Sequence, residues 1–216
     1  MYDTIVIGGG VSGIMAAYAA SLNHNKVLLL EKNKKLGKKL LISGGGRCNV
    51  TNRLPYEEII QNIPGNGKFL YGPFSVFDNE SIIKFVEGNG VKLKEEDHGR
   101  MFPVSNKAKD VLNVFLNQLE ANKVDIQFET EVAAVLSENQ QITGVKTTDS
   151  SVYTASNVII TTGGKSVPQT GSTGDGHKFA KTLGHTVTDL FPTEVPITSN
   201  QRFFTDGSLK GISLDD

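Results

Sequence analysis

The stretch Asp3-Thr4-Ile5-Val6-Ile7-Gly8-Gly9-Gly10-Val11-Ser12-Gly13-Ile14 decides the fold of this chain. Residues 3–7 are an apolar run of strand length, cut off by glycine. Residues 12–23, rich in Ala with Ile14, Met15 and Leu22, read as a closely packed helix. A second strand is expected from Lys26 to Leu30 and ends at Glu31. Strand, glycine turn, helix and strand make the first half of a nucleotide-binding unit, and that setting gives Gly8-x-Gly10-x-x-Gly13 its physical meaning. Gly8 lets the chain turn tightly, Gly10 leaves room for a pyrophosphate, and Gly13 lets the helix pack on the strands. Val11 and Ser12 open that helix, whose free N–H groups and positive dipole end favour phosphate. The Glu31 carboxylate is placed to accept hydrogen bonds from a ribose diol, and its charge repels a 2′-phosphate.

A second glycine cluster lies far along the chain. Val158-Ile159-Ile160 reads as a buried strand and runs into Thr161-Thr162-Gly163-Gly164, followed by Gly171-Ser172-Thr173-Gly174-Asp175-Gly176. Both clusters come off the ends of core strands, so they are expected to meet at the carboxyl edge of one parallel sheet. A simple nicotinamide domain has little use for this second arrangement. A protein that wraps a large, extended cofactor does.

Between the clusters, residues 32–53 read as a long irregular stretch with seven basic residues and the triplet Gly44-Gly45-Gly46. Compact domains rarely carry such a loop without a functional reason. Asp78 can cap a helix running to about Gly88, with Ile82, Ile83 and Val86 as its apolar stripe. Short strands are expected at 91–94 and 100–104. A helix over 107–122 places Ala108, Val111, Leu112, Phe115 and Leu119 on one face. Val124 to Phe128 reads as a buried parallel strand, and 131–136, 142–147 and 151–154 as an antiparallel meander. A helix from Asp175 to Leu183 is capped by Thr173 or Gly174. The tail from Thr186 to Asp216 reads as mixed strand and loop.

Composition narrows the function classes. Lys and Arg total 22 against 23 Asp and Glu, a net charge of -1 with no global pull toward nucleic acid or anionic membrane. The single cysteine, Cys48, excludes an intrachain disulfide and a Cys-x-x-Cys pair. The four histidines are scattered and no dense acidic cluster accompanies them, so no metal site is expected. No apolar run reaches membrane-spanning length, and Asp3 with the early glycines argues against a signal peptide, which makes the cytoplasm the expected location. Gly163-Gly164-Lys165-Ser166 imitates the end of a P-loop, but Ile159 stands where the first glycine is required.

Residues 37–52, Gly-Lys-Lys-Leu-Leu-Ile-Ser-Gly-Gly-Gly-Arg-Cys-Asn-Val-Thr-Asn, resemble the signature of the YhiN or BaiN-like family of bacterial NAD(P)/FAD-dependent oxidoreductases. Further matches are Gly99-Arg100-Met101-Phe102-Pro103, the Gly163-Gly164 to Gly176 segment and Phe191-Pro192-Thr193-Glu194-Val195-Pro196. At Ser166-Val167-Pro168 and at His177 the chain departs from relatives that more often carry an aromatic residue. The resemblance implies an α/β fold: a Rossmann-like FAD-binding domain with a central parallel sheet and an antiparallel β-meander. It implies FAD as cofactor, NAD(P)H as a candidate electron donor, and a small-molecule substrate. It further implies that relatives are roughly twice as long. Residues 1–190 would then be the FAD-binding domain, and 191–216 a linker with the start of an inserted β domain.

In that reading Lys38, Lys39, Gly44, Gly45, Gly46, Arg47, Cys48, Asn49 and Asn52 form a loop beside the ribityl chain and ring. Lys32, Thr162, Gly163, Gly164, Gly174 and Asp175 complete the cofactor site, and the backbone at Val132 meets adenine. Consecutive glycine N–H groups make an anion-friendly nest, and Arg47 brings a fixed fork of donors to the edge where a reduced flavin gathers negative charge. Cys48 is expected to be buried and inert. His98 is either near the substrate face or a polar surface position. Tyr71 with Phe69, Phe74 and Phe77 reads as an apolar cover. No catalytic residue is assigned. A flavoprotein oxidoreductase is the favoured reading; a tRNA-modifying flavoprotein, a nicotinamide-only reductase and a non-catalytic nucleotide-binding module are its rivals. Homo-oligomerisation stays open.

Overall fold

In the computed structural model, which describes residues 1–192 and 200–208, the opening motif folds as β1 (Tyr2–Ile7), α1 (Val11–Ser21) and β2 (Val27–Leu30). The basic stretch is less irregular than its composition predicts. Leu36 and Leu40 are buried, and α2 (Lys38–Ile42) forms around them against the later helix α6. A glycine turn at Ser43–Gly46, with Gly44 and Gly45 in the left-handed region, and β3 (Thr51–Asn52) follow. Next come α3 (Tyr56–Gln61), α4 (Tyr71–Val76) and α5 (Asn79–Gly88). As expected, the Asp78 carboxylate accepts from the Ser81 N–H to cap α5.

Then come β4 (Leu93–Glu95), β5 (Arg100–Pro103), α6 (Ala108–Ala121) and β6 (Asp125–Gln127). The five apolar residues assigned to one face of α6 are all buried. The meander is β7 (Val132–Glu138), β8 (Gln141–Thr147) and β9 (Val152–Ile160), and the chain continues through α7 (Asp175–Thr182) to a helical turn, α8 (Arg202–Thr205). That turn replaces strand or loop at 202–205. Residues 193–199 and 209–216, which include most of the Phe191–Pro196 match and of the expected insert, lie outside the described residues.

One six-stranded sheet, in the order β6-β2-β1-β9-β8-β7, organises the molecule, and β3-β5-β4 form a separate antiparallel sheet. The pairs β6–β2, β2–β1 and β1–β9 are parallel, whereas β9–β8 and β8–β7 are antiparallel. Two sequence expectations are corrected here. The last meander strand and the strand at 158–160 are a single strand, because no breaker interrupts 152–160. Its first residues pair with β8 and its later ones, from Ala155, with β1. Nor is 124–128 a buried strand: β6 is an edge strand, and only Val124 in that run is buried.

The two-residue period of the central strands divides the core. Val6, Val27 and Leu29 point toward α1 and α6, joining Ile14, Ala17, Val111, Phe115 and Leu119. Ile5, Ile7, Leu28 and Leu30 point to the other face and meet Val132, Val135, Val145 and Phe179. Each such aliphatic side chain contributes about 1.5–3 kcal/mol by leaving water. Both faces of β1 are therefore covered. The free direction is along the strands, past their carboxyl ends, where the glycine clusters sit.

Candidate functional site

The site begins where β1 stops. Gly8 takes φ +103, and a Cβ there would stand 2.8 Å from the Thr161 carbonyl oxygen at the end of β9. Its N–H continues the ladder by donating to the Leu30 oxygen at 2.8 Å. Gly13 has the packing role expected of it, since a Cβ would lie 1.8 Å from the Gly8 oxygen and 2.7 Å from Thr161 Oγ1. Gly10 differs in kind. It is extended, and a Cβ on it would meet nothing within 4 Å. Gly10 also starts α1 with no side-chain cap, and the first turn of α1 has no acidic residue. The first-turn N–H groups of a helix need partners, and here they open onto a cavity.

That cavity has a volume of about 420 Å³. Of the residues assigned to a cofactor from sequence, its wall includes Gly8, Gly10, Val11, Ser12, Glu31, Lys32, Lys39, Cys48, Asn49, Val132, Thr162, Gly163 and Asp175. Residues distant in sequence are thus brought together at the carboxyl edge of β1, β2 and β9. Gly13 stands behind the wall as packing. Gly164 and Gly174 are also off the wall, Gly174 as the N-terminal cap of α7.

Glu31 is buried beneath the glycine turn. Its Oε2 accepts from the Gly9 N–H at 2.6 Å, and its Oε1 accepts from the Asn33 N–H and Nδ2 at 2.8 and 2.5 Å. Two residues enter here that motif reading missed. Gly9 leaves room for its neighbours, since a Cβ would sit 2.2 Å from Leu36 Cδ2 and 3.0 Å from Glu31 Oε2, and Asn33 holds the carboxylate's second oxygen. The unbroken triplet Gly8-Gly9-Gly10 was the available signal for the first; nothing local marked the second. A carboxylate offers about four lone-pair directions, so Glu31 keeps acceptor capacity on its cavity side.

The loop at 44–47 departs from its expected role. Gly44, Gly45, Gly46 and Arg47 do not line the cavity. A Cβ on Gly44 would stand 2.9 Å from the Asn49 nitrogen and 3.0 Å from the Phe102 ring, so this glycine serves packing. The Arg47 guanidinium lies 4.0 Å from the Phe102 ring centroid and donates to both Glu96 oxygens, at 3.2 and 2.7 Å. Its fork of donors is turned to the protein's own acid. Those bonds, with one from Lys94, hold the Glu96 carboxyl down at about 2.

Cys48 is buried on the cavity wall, and burial pushes its thiol up despite an opposing hydrogen bond with Ser43. A raised thiol stays protonated at neutral pH, in keeping with an inert role. His98 is exposed in a tight turn away from the cavity, and its carbonyl accepts from Asn52 Nδ2 at 2.7 Å. Phe69, Tyr71 and Phe77 are 69%, 46% and 38% exposed and only Phe74 is half-buried, against Tyr56, so the four do not form a cover in this structure. Among the described residues no helix is long and apolar enough to cross a membrane.

On the far side, Thr162 Oγ1 accepts from the Gly176 N–H at 2.9 Å, which ties the second cluster to the start of α7. Lys32 donates to Thr173 Oγ1 and Asp175 Oδ2, at 2.8 and 2.9 Å. The Thr173 hydroxyl and then Lys32 lower the Asp175 carboxyl. The resulting wall pairs an uncapped helix start with a buried carboxylate at the tip of the next strand. A dinucleotide with its pyrophosphate at Gly10–Gly13 fits that donor and acceptor set.

Comparison with known proteins places the chain in a family. The chain is 29% identical over 197 residues to the ribosomal RNA dihydrouridine synthase of Escherichia coli K12, covering 91% of this chain and 48% of that protein. It is 31% identical over 212 residues to the 3-dehydro-bile acid delta(4,6)-reductase of Clostridium scindens, covering 97% of this chain and 50% of the relative. The chain thus spans about half the length of these curated relatives. Among solved structures, a flavocytochrome c3 fumarate reductase shares the fold with TM-score 0.59 at 17% identity, over 85% of this chain and 40% of that one. A 3-ketosteroid-delta4-(5alpha)-dehydrogenase from Rhodococcus jostii RHA1 does so with TM-score 0.61 at 12% identity, over 85% and 54%. The model of the HI0933-like protein Rossmann domain matches residues 2–215, and the chain belongs to that family.

Proposed function

We propose that this chain is the nucleotide-binding part of an FAD-dependent oxidoreductase that moves hydride from a reduced donor, NAD(P)H, to an acceptor C=C bond conjugated with a carbonyl group. The single observation that carries the cofactor assignment is the uncapped start of α1 at Gly10, with open space over it and the Glu31 carboxylate beside it. In this reading the N–H groups at Val11, Ser12 and Gly13 hold the pyrophosphate, Glu31 receives the ribose hydroxyls and the backbone at Val132 meets adenine. Cys48, Asn49, Thr162 and Gly163 then border the cavity toward the flavin. When bound, FAD supplies the hydride chemistry. The residues described here orient it, satisfy its charge and exclude water.

The acceptor class rests on what two relatives have in common. Making dihydrouridine from uridine saturates a C=C bond conjugated with a carbonyl, and a delta(4,6)-reductase acting on a 3-dehydro bile acid has the same kind of bond to reduce. RNA as the carrier of that bond is the second reading, favoured by the exposed Lys34 and Lys35 in the loop after Glu31 and by Lys38 at the start of α2. The test is anaerobic NAD(P)H oxidation by the whole protein with either a steroid dienone or uridine-containing RNA. Turnover with either supports the reading, and turnover with RNA that falls steeply with salt selects the second form. A flavin-loaded protein that reduces neither class would overturn the acceptor assignment.

A further inference from the structure

The segment from Lys32 to Lys39, a loop that runs into the start of α2, and the segment from Thr161 to Asp175, which runs into the start of α7, both contribute to the cavity wall and meet there. Among the described residues no backbone–backbone hydrogen bond joins them. The seam is made of side chains. Lys32 Nζ reaches Thr173 Oγ1 at 2.8 Å and Asp175 Oδ2 at 2.9 Å. Lys39 Nζ reaches the Ser166 carbonyl oxygen and Ser172 Oγ, both at 2.8 Å, and Asn33 Nδ2 lies 3.4 Å from the Thr170 oxygen.

A glycine in the second cluster permits this approach. Gly171 takes φ +108, and a Cβ there would stand 2.7 Å from Asn33 Nδ2 and 3.4 Å from Lys32 Cε. Within the second loop itself, a Cβ on Gly163 would stand 2.8 Å from Ser172 Oγ, the hydroxyl that receives Lys39. Gly171 thus lets one loop come close to the other, an arrangement that ligand contact alone does not demand. Lysines on so basic a loop would otherwise extend their heads into water. A seam of side-chain bonds can also part while the β1–β9 ladder stays intact, which is the usual form of a low-energy local opening.

We propose that Lys32 and Lys39 form a clasp across the cavity that parts to admit an extended nucleotide cofactor and closes again over it, so that the two lysines set the rate of cofactor exchange. The clasp rests on the FAD reading for its ligand, but not for its existence. The experiment compares the whole wild-type protein with the double variant Lys32→Met and Lys39→Met. Amide hydrogen exchange over residues 163–174 is measured in flavin-free protein, and FAD association and dissociation are followed by flavin fluorescence. Without the clasp, exchange in that segment and both rate constants should rise, each about tenfold, while equilibrium affinity changes less. Ser172→Ala, which removes one partner of Lys39 and no charge, should shift all three in the same direction by less. Unchanged exchange overturns the clasp. So does slower association with faster dissociation, which would make the lysines direct cofactor contacts. Wild-type protein that takes up no FAD would overturn the cofactor reading instead, and the exchange comparison would still decide the clasp.

Discussion

Glu31 shows how one side chain serves both fold and site. Its two oxygens receive the Gly9 N–H on one side and Asn33 on the other, so the carboxylate fastens the glycine turn before any ligand arrives. Glu31→Gln keeps the volume but turns an amide N–H toward one of those donors. We expect FAD binding by the whole protein to weaken by about 1–3 kcal/mol, together with a lower melting temperature. Unchanged affinity in a flavin titration would remove Glu31 from the ribose. Arg47 makes the opposite point, because its charge is committed to Glu96. Glu96 is lowered from its ordinary 4.5 to about 2 in the folded protein, so the pair stabilises fully above about pH 4.5. That contribution is lost as pH falls toward about 2. Glu96→Gln should lower the melting temperature near neutral pH and flatten its decline over that acid window, as read from melts at stepped pH.

At the scale of the element, the glycine turn separates two kinds of glycine that the motif writes alike. Gly13→Ala would force a methyl group against the Gly8 carbonyl, 1.8 Å from the ideal Cβ, so α1 must move away from the sheet. We expect a marked loss of stability by circular dichroism and thermal melting, whereas Gly10→Ala should melt close to wild type. This much was legible because strand, turn and helix are local in sequence, and residues 2–31 carry the whole pattern. The basic loop was less legible. Its helix α2 depends on packing against α6, whose residues lie far along the chain, and Arg47 depends on Glu96, 49 residues away. Composition marked 44–47 as an anion nest; the Phe102 ring and the Glu96 carboxylate, both supplied by tertiary structure, turn it inward. Likewise the joining of 151–154 to 158–160 could not be read from apolar runs, since one strand changes partners midway.

Across the whole molecule, the fold follows from where β1 sits. With β2 on one side and β9 on the other, and apolar layers on both faces, the strand ends are the place left for a ligand. Both glycine clusters arrive there because the parallel pairs bring Ile7 beside Leu30 and Ile160. Family membership and the fold shared with solved structures agree with that geometry, and the chain covers about half of its curated relatives, so chemistry is a property to test on the whole protein. The central claim is that the open helix start at Gly10 holds the pyrophosphate of FAD. It is tested most directly by titrating FAD into the flavin-free whole protein and its Gly10→Ala variant, with circular dichroism on both. The account predicts stoichiometric binding with flavin absorbance for the wild type, and a folded variant that binds no detectable flavin. A folded variant that takes up FAD with wild-type affinity, or a wild-type protein that takes up none, would contradict it.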